Sequence, residues 1–135
     1  MRDDVNINDN IEQAYAAAKA FNEGDVSVVL GLMSDSIVWH WGGTNQLAGD
    51  AKGKDAVLAK FGTAMLLTDG TLRIDLKDVL VSENRAVMFL DLSAERDGTP
   101  MRLNVAHAST LDDEGRWDEV WFLPSDQRTW DEVFA

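Results

Sequence analysis

Polar and apolar positions alternate most regularly in the second half of the chain. From Thr71, Leu72, Ile74 and Leu76 alternate with Arg73, Asp75 and Lys77, the two-residue period of a half-buried strand. The alternation slips at Asp78 and continues out of phase through Val79 and Val81, which predicts a β-bulge. Glu83-Asn84 turns into a further strand from Ala86 to Arg96. The Asp97-Gly98 pair that follows is the strongest hairpin signal in the chain, a two-residue turn. It pairs Leu92 with Leu103, Leu90 with Val105 and Met88 with His107, and sets Asp91 and Asn104 together on the opposite face. A second hairpin is expected around Asp113-Glu114-Gly115, where the last position suits a positive φ. Its simplest register sets His107 opposite Trp121, Ser109 opposite Glu119 and Leu111 opposite Trp117. One face then carries Leu103, Val105, His107, Leu111, Trp117, Glu119, Trp121 and Leu123. A histidine and a glutamate on an otherwise apolar surface mark the candidate site.

The first half has the helical period instead. Asp9 followed by Glu12 reads as a capping box opening a helix at Asn10, with Ile11, Ala14, Tyr15, Ala18 and Phe21 recurring at helical spacing and Gly24 ending it. Asp25 is placed to cap a second helix that buries Val26, Val29, Leu30 and Met33. A short strand, Ile37 to Trp41, comes next, and then an aperiodic loop from Gly42 to Gly53. A third helix from Lys54 buries Val57, Leu58, Phe61 and Met65. After the last strand ends at Pro124, Ser125 to Phe134 can close the fold as a short helix with Trp130, Val133 and Phe134 inward. Helix, helix, strand, helix and a four-strand meander make one α+β domain over residues 1–135, with helices segregated to one face of a curved sheet.

Composition narrows the function. A net charge of −12, with no dense run among the 12 basic residues, argues against nucleic acid. No apolar run approaches the roughly 20 residues of a membrane span, and the opening MRDDVNINDN has neither the charge nor the apolar core of a targeting peptide, so a cytoplasmic location is expected. The absence of Cys removes disulfides, thiol nucleophiles and thiolate metal sites. GDAKGKD, residues 49–55, lacks the spacing and the final Ser or Thr of a phosphate loop.

His107, with an ordinary pKa near 6.5, is the candidate acid or base, and Glu119, diagonal to it, would orient the imidazole. Tyr15, Trp39, Trp41, Trp117 and Trp121 are the candidate lining of a pocket for a flat hydrophobic ligand. If Ile37, Trp39 and Trp41 face inward, His40 points outward beside Val38; a bulge would bring it into the pocket as a further ligand contact. With the two histidines on opposite faces, no metal site is expected, and no cofactor. Phe89, Ala106, Val120 and Phe122 share the far face with Asp91 and Asn104, an apolar set that predicts a homodimer surface.

Three segments, FNEGDVSVVLGLMSDSIVWHW, LAGDAKGKDAVLAKF and DDEGRWDEVW, in this order and spacing resemble the SnoaL-like proteins of the nuclear transport factor 2-like and ketosteroid-isomerase-like superfamily. The resemblance covers nearly the whole chain. It implies a cone-shaped curved antiparallel sheet wrapped around three N-terminal helices, a deep hydrophobic pocket, and a homodimer. Members of that superfamily include isomerases, polyketide cyclases, epoxide hydrolases and non-catalytic binding modules. By resemblance, His107 takes the position of a pocket acid, and Glu119 and Trp121 match part of the cyclases' last-strand motif. The isomerases' proton-abstracting aspartate would fall at Trp41, and their pocket tyrosine near Ala17, with Tyr15 on another side of the helix; this counts against steroid-type isomerisation. Two readings follow. One is a cofactor-independent enzyme that binds a hydrophobic cyclic carbonyl or polyketide-like molecule and catalyses acid/base cyclisation or isomerisation. The alternative is a non-catalytic ligand-binding or dimeric assembly module.

Overall fold

Asp97 and Gly98 adopt φ of 52° and 81°, the paired positive values of a tight hairpin turn, and so fix the register at the centre of the sheet. A computed structural model describes residues 7–135. Strands β4 (Arg85–Arg96) and β5 (Thr99–Leu111) pair as expected, Leu92 with Leu103, Leu90 with Val105 and Met88 with His107. Strand β3 (Arg73–Val81) joins the far side of β4, and its register shifts between Leu76 and Asp78, where the sequence alternation slips. Strand β6 (Trp117–Pro124) follows β5, and β1 (Met33–Trp41) lies parallel beside β6. A four-residue strand β2 (Gly49–Lys52) lies antiparallel at the edge. The order β2-β1-β6-β5-β4-β3 makes a curved, unclosed six-strand sheet with one parallel pair.

Helices α1 (Ile7–Glu23), α2 (Val26–Gly31) and α3 (Lys54–Leu67) cover its inner face, and α4 (Gln127–Val133) closes one end. Asp9 stands in the first turn of α1, so the helix does not open at Asn10. Gly24, at φ 75°, ends α1, and Asn22 then binds both the amide and the carbonyl of Ile74, docking the helix on edge strand β3. Met33 belongs to β1 instead of the second helix, and the stretch taken as an unbroken loop contains β2. The core gathers Met33, Ile37, Leu47, Val57, Val120 and Phe134, all at most 2% exposed. Trp130, Val133 and Phe134 point inward from the closing helix. Among the described residues no helix is long and apolar enough to cross a membrane.

The last hairpin departs from its expected register. His107 pairs with Phe122, Ala108 with Trp121 and Thr110 with Glu119, and only Leu111–Trp117 keeps the simple register. The shift falls at Asp118, whose carboxylate accepts hydrogen bonds from Ser34 (2.7 Å) and Ser36 (3.0 Å) at the irregular start of β1. One extra residue reverses every side chain beyond it. Glu119, Trp121 and Leu123 therefore lie on the outer face, while Val120 and Phe122 turn inward. The reversal keeps a carboxylate out of the apolar interior, where it would be strongly disfavoured.

Candidate functional site

The Asp97–Gly98 register and the Asp118 bulge together decide what surrounds His107. Its ring is 2% exposed and touches Trp39 edge to face (centroids 5.0 Å apart), Trp117 (4.5 Å) and Phe122 (6.3 Å). Among the described residues neither ring nitrogen has a hydrogen-bond partner, and the Trp39 indole Nε1 also lacks one. Burial pushes the His107 pKa down to about 4, against a smaller opposing effect of its own backbone. The imidazole is thus neutral near pH 7, with one nitrogen to donate and one to accept. Glu119 does not orient it, because the bulge puts Glu119 on the other side of the sheet.

A hollow of about 70 Å³ opens beside His107. Its walls come from the sheet (Trp39, Trp41, Met88, Leu90, Trp117, Phe122), from the helices (Ala17, Phe21, Phe61, Ala64, Trp130) and from Leu47. Drug-sized sites typically measure roughly 300–1,000 Å³, so this hollow is narrower than the deep pocket the resemblance implied. Aromatic packing fills the difference: Trp39 stacks on Trp41 at 5.0 Å, and Phe61 meets both edge-on. A ligand larger than a single ring has to displace part of this aromatic wall. Among the described residues Lys60 is the only charged one in the lining.

Trp39, Trp41 and Trp117 are therefore brought together with His107, and four other sequence candidates, Tyr15, His40, Glu119 and Trp121, are not. Tyr15 is 49% exposed on the outer side of α1, because the buried stripe of that helix runs through Ala14, Ala17 and Ala18. Trp121 and Glu119 follow the bulge outward. Phe122, Phe61, Leu47 and Lys60 were missed as pocket residues. No sequence signal singled out Phe122, because each phase of β6 has one carboxylate, Asp118 with Val120 and Phe122, and Glu119 with Trp117 and Trp121.

His40 points outward, as its inward neighbours Trp39 and Trp41 require. Its Nδ1 lies 2.6 Å from Asp50 and its Nε2 2.6 Å from Glu119, and its ring stacks on Trp121 at 5.5 Å. Hydrogen bonds to Glu119 and then to Asp50 raise its pKa above the ordinary 6.5, since two carboxylates are best met by an imidazolium donating from both nitrogens. The cluster straps β2 and β6 to β1. His40 and His107 thus lie on opposite faces, and among the described residues no group of three His, Cys, Asp or Glu is placed to hold a metal ion.

Helices over the inner face of a curved, unclosed sheet, with an apolar hollow between them, define the nuclear transport factor 2-like class of α+β domain. Residues 11–120 match the SnoaL-like domain, and the chain belongs to that family. Bal32a, from a soil-derived mobile gene cassette, is similar at 29% identity with a TM-score of 0.89, over 96% of this chain and 98% of that one. A cystatin-like protein of unknown function from Xanthomonas campestris matches at 24% identity and TM-score 0.85, over 93% and 98%. TerC, co-crystallised with polyporic acid, matches at 21% identity and TM-score 0.81, over 93% and 97%. No curated protein shows significant sequence similarity to the chain.

Proposed function

We propose that the hollow is a binding site for a small, flat, hydrophobic molecule bearing a carbonyl or hydroxyl group, with neutral His107 as its polar anchor. The observation that carries this reading is the set of unpaired buried atoms, both His107 nitrogens and Trp39 Nε1, beside an apolar hollow. Buried polar groups are almost always hydrogen-bonded, and each unpaired one costs about 1–3 kcal/mol. A carbonyl or enol in the hollow would relieve that penalty while its carbon skeleton covers the aromatic wall. Among the described residues no carboxylate lines the hollow, so proton abstraction by Asp or Glu has no support there.

A second reading, acid/base cyclisation or isomerisation of a polyketide-like carbonyl compound, rests on the same imidazole. A neutral ring free of intramolecular partners has a lone pair available to take a proton. A pKa lowered by burial to about 4 makes it a weak base, so binding is the better-supported role.

The test uses benzylideneacetone, a flat conjugated ketone. Titration should shift the Trp39 indole N–H resonance saturably, and His107→Leu should weaken binding roughly tenfold, the loss of one buried hydrogen bond. An unmoved Trp39 resonance rejects the site. Formation of a product from a ketone-bearing substrate, lost in His107→Leu, would favour the catalytic reading instead.

The outer face of the sheet we assign to a second copy of the chain. Phe89, Trp121 and Leu123 are 41%, 36% and 53% exposed there. Phe89, Ala106 and Leu123 form a row across β4, β5 and β6, two large apolar side chains flanking an alanine floor. A two-fold copy can set its own Leu123 into that floor.

A further inference from the structure

Lys60 stands out because it has a charge where every other lining residue is uncharged near neutral pH. It projects from α3, half-buried, and its ammonium donates to the Ala48 carbonyl at 3.2 Å. Among the described residues it makes no ion pair, although Lys54 and Lys77 both reach carboxylates. Scarcity does not explain this, since the chain has 24 acidic residues against 12 basic ones. One carbonyl leaves the ammonium with two donors to spare, and on a half-buried side chain these are open to water or to an incoming anion. The hollow that Lys60 lines also holds the buried His107 nitrogens, unpaired among the described residues.

We propose that Lys60 makes the site selective for organic anions: a flat apolar body whose carboxylate, or comparably acidic enol, meets the ammonium. This rests on the binding-site reading above and adds the charge of the ligand. The negative charge of the whole chain works the other way, repelling anions at long range. A preference for an acid over its neutral isostere therefore requires a local cation, and Lys60 is the one the lining supplies.

The experiment compares trans-cinnamate with benzylideneacetone, which has the same skeleton with a methyl ketone in place of the carboxylate, by calorimetry at pH 7 and low salt. The native protein should bind cinnamate at least roughly tenfold more tightly, as expected for one charge-assisted hydrogen bond. Lys60→Met, which keeps the aliphatic stem, should erase that preference, read as the ratio of the two affinities within the variant; Lys60→Arg should keep it. Added salt should weaken cinnamate binding alone. Equal affinities in the native protein, or an unchanged preference in Lys60→Met, overturn the role of Lys60 while ketone binding still stands. Failure of both ligands to bind overturns the site itself.

Discussion

His107 is held in the folded chain with two unpaired nitrogens, an arrangement selected against by stability alone. His107→Leu, of similar volume and fully apolar, should therefore raise the unfolding free energy of the ligand-free protein by about 1–3 kcal/mol while weakening ligand binding. Urea denaturation of both forms measures the first effect; a clear fall in stability would show that the ring is hydrogen-bonded after all. The two histidines also bend the pH profile from opposite ends. His40 has a raised pKa in the fold, so its contribution is full below about 6.5 and is lost as the pH rises through the folded value. His107 titrates at about 4 in the fold and near 6.5 unfolded, so its contribution is full above 6.5 and falls away as the pH drops toward 4. At about 1.4 kcal/mol per pH unit the second effect comes to about 3.5 kcal/mol as an upper bound. Asp112, Asp126 and Asp131, held below the ordinary carboxylate range, add their own acid losses at lower pH. Melting curves from acid to mild alkali should show His107→Leu flattening the limb between 4 and 6.5, and His40→Gln the limb above 6.5. Either variant leaving its limb intact would refute that residue's assignment.

Among the elements, β6 is where a single residue decides the chemistry of both faces. Asp118 is the inserted residue, fixed by the hydroxyls of Ser34 and Ser36. Asp118→Ala removes both hydrogen bonds and should destabilise the protein by about 1–2 kcal/mol. Ser36→Ala should have a smaller effect, because Ser34 still donates to the carboxylate. Urea midpoints check the ranking, and an unaltered midpoint for Asp118→Ala would mean that backbone pairing alone sets the bulge. This bulge also marks the limit of what the sequence discloses. Asp97-Gly98 fixed its register legibly, because a two-residue turn admits one pairing and the flanking strands alternate without interruption. The slip at Asp78 was visible because apolar residues change phase there. The β6 segment is apolar in both phases, with Trp117, Trp121 and Leu123 in one and Val120 and Phe122 in the other, so periodicity could not choose between them. The choice depends on Ser34 and Ser36, which are brought to Asp118 across 84 and 82 residues of chain. Strand β2 was hidden for a related reason, since its four residues are paired by β1 and have no pattern of their own. Thus His107, Trp39, Trp41 and Trp117 could be placed together from local pattern. The outward turn of Glu119, and its partnership with His40, required a tertiary contact.

At the scale of the whole molecule, the sheet separates the proposed binding site from the proposed dimer surface. The inner face encloses the hollow, and the outer face presents Phe89, Ala106, Trp121 and Leu123 beside the His40–Glu119–Asp50 cluster. A contiguous apolar patch of this kind is uncommon on a monomer, and the proposed second copy would cover it. Long-range electrostatics oppose that assembly, because each chain has a net charge of −12. Salt screens such repulsion and leaves apolar burial largely intact, so dimerisation should strengthen as salt is added, the opposite of what a contact held by ion pairs would do. Leu123→Lys should break it: the side chain is 53% exposed, so the fold tolerates the change, while the ammonium would be buried against the partner's alanine floor. Light scattering across a range of salt should then find a dimer in the native protein and a monomer in the variant. The variant should keep its affinity for benzylideneacetone, since the hollow lies behind the sheet. A native protein that stays monomeric at high salt would remove the outer face as an interface, and a Leu123→Lys monomer that lost ligand binding would show that the two faces are not independent.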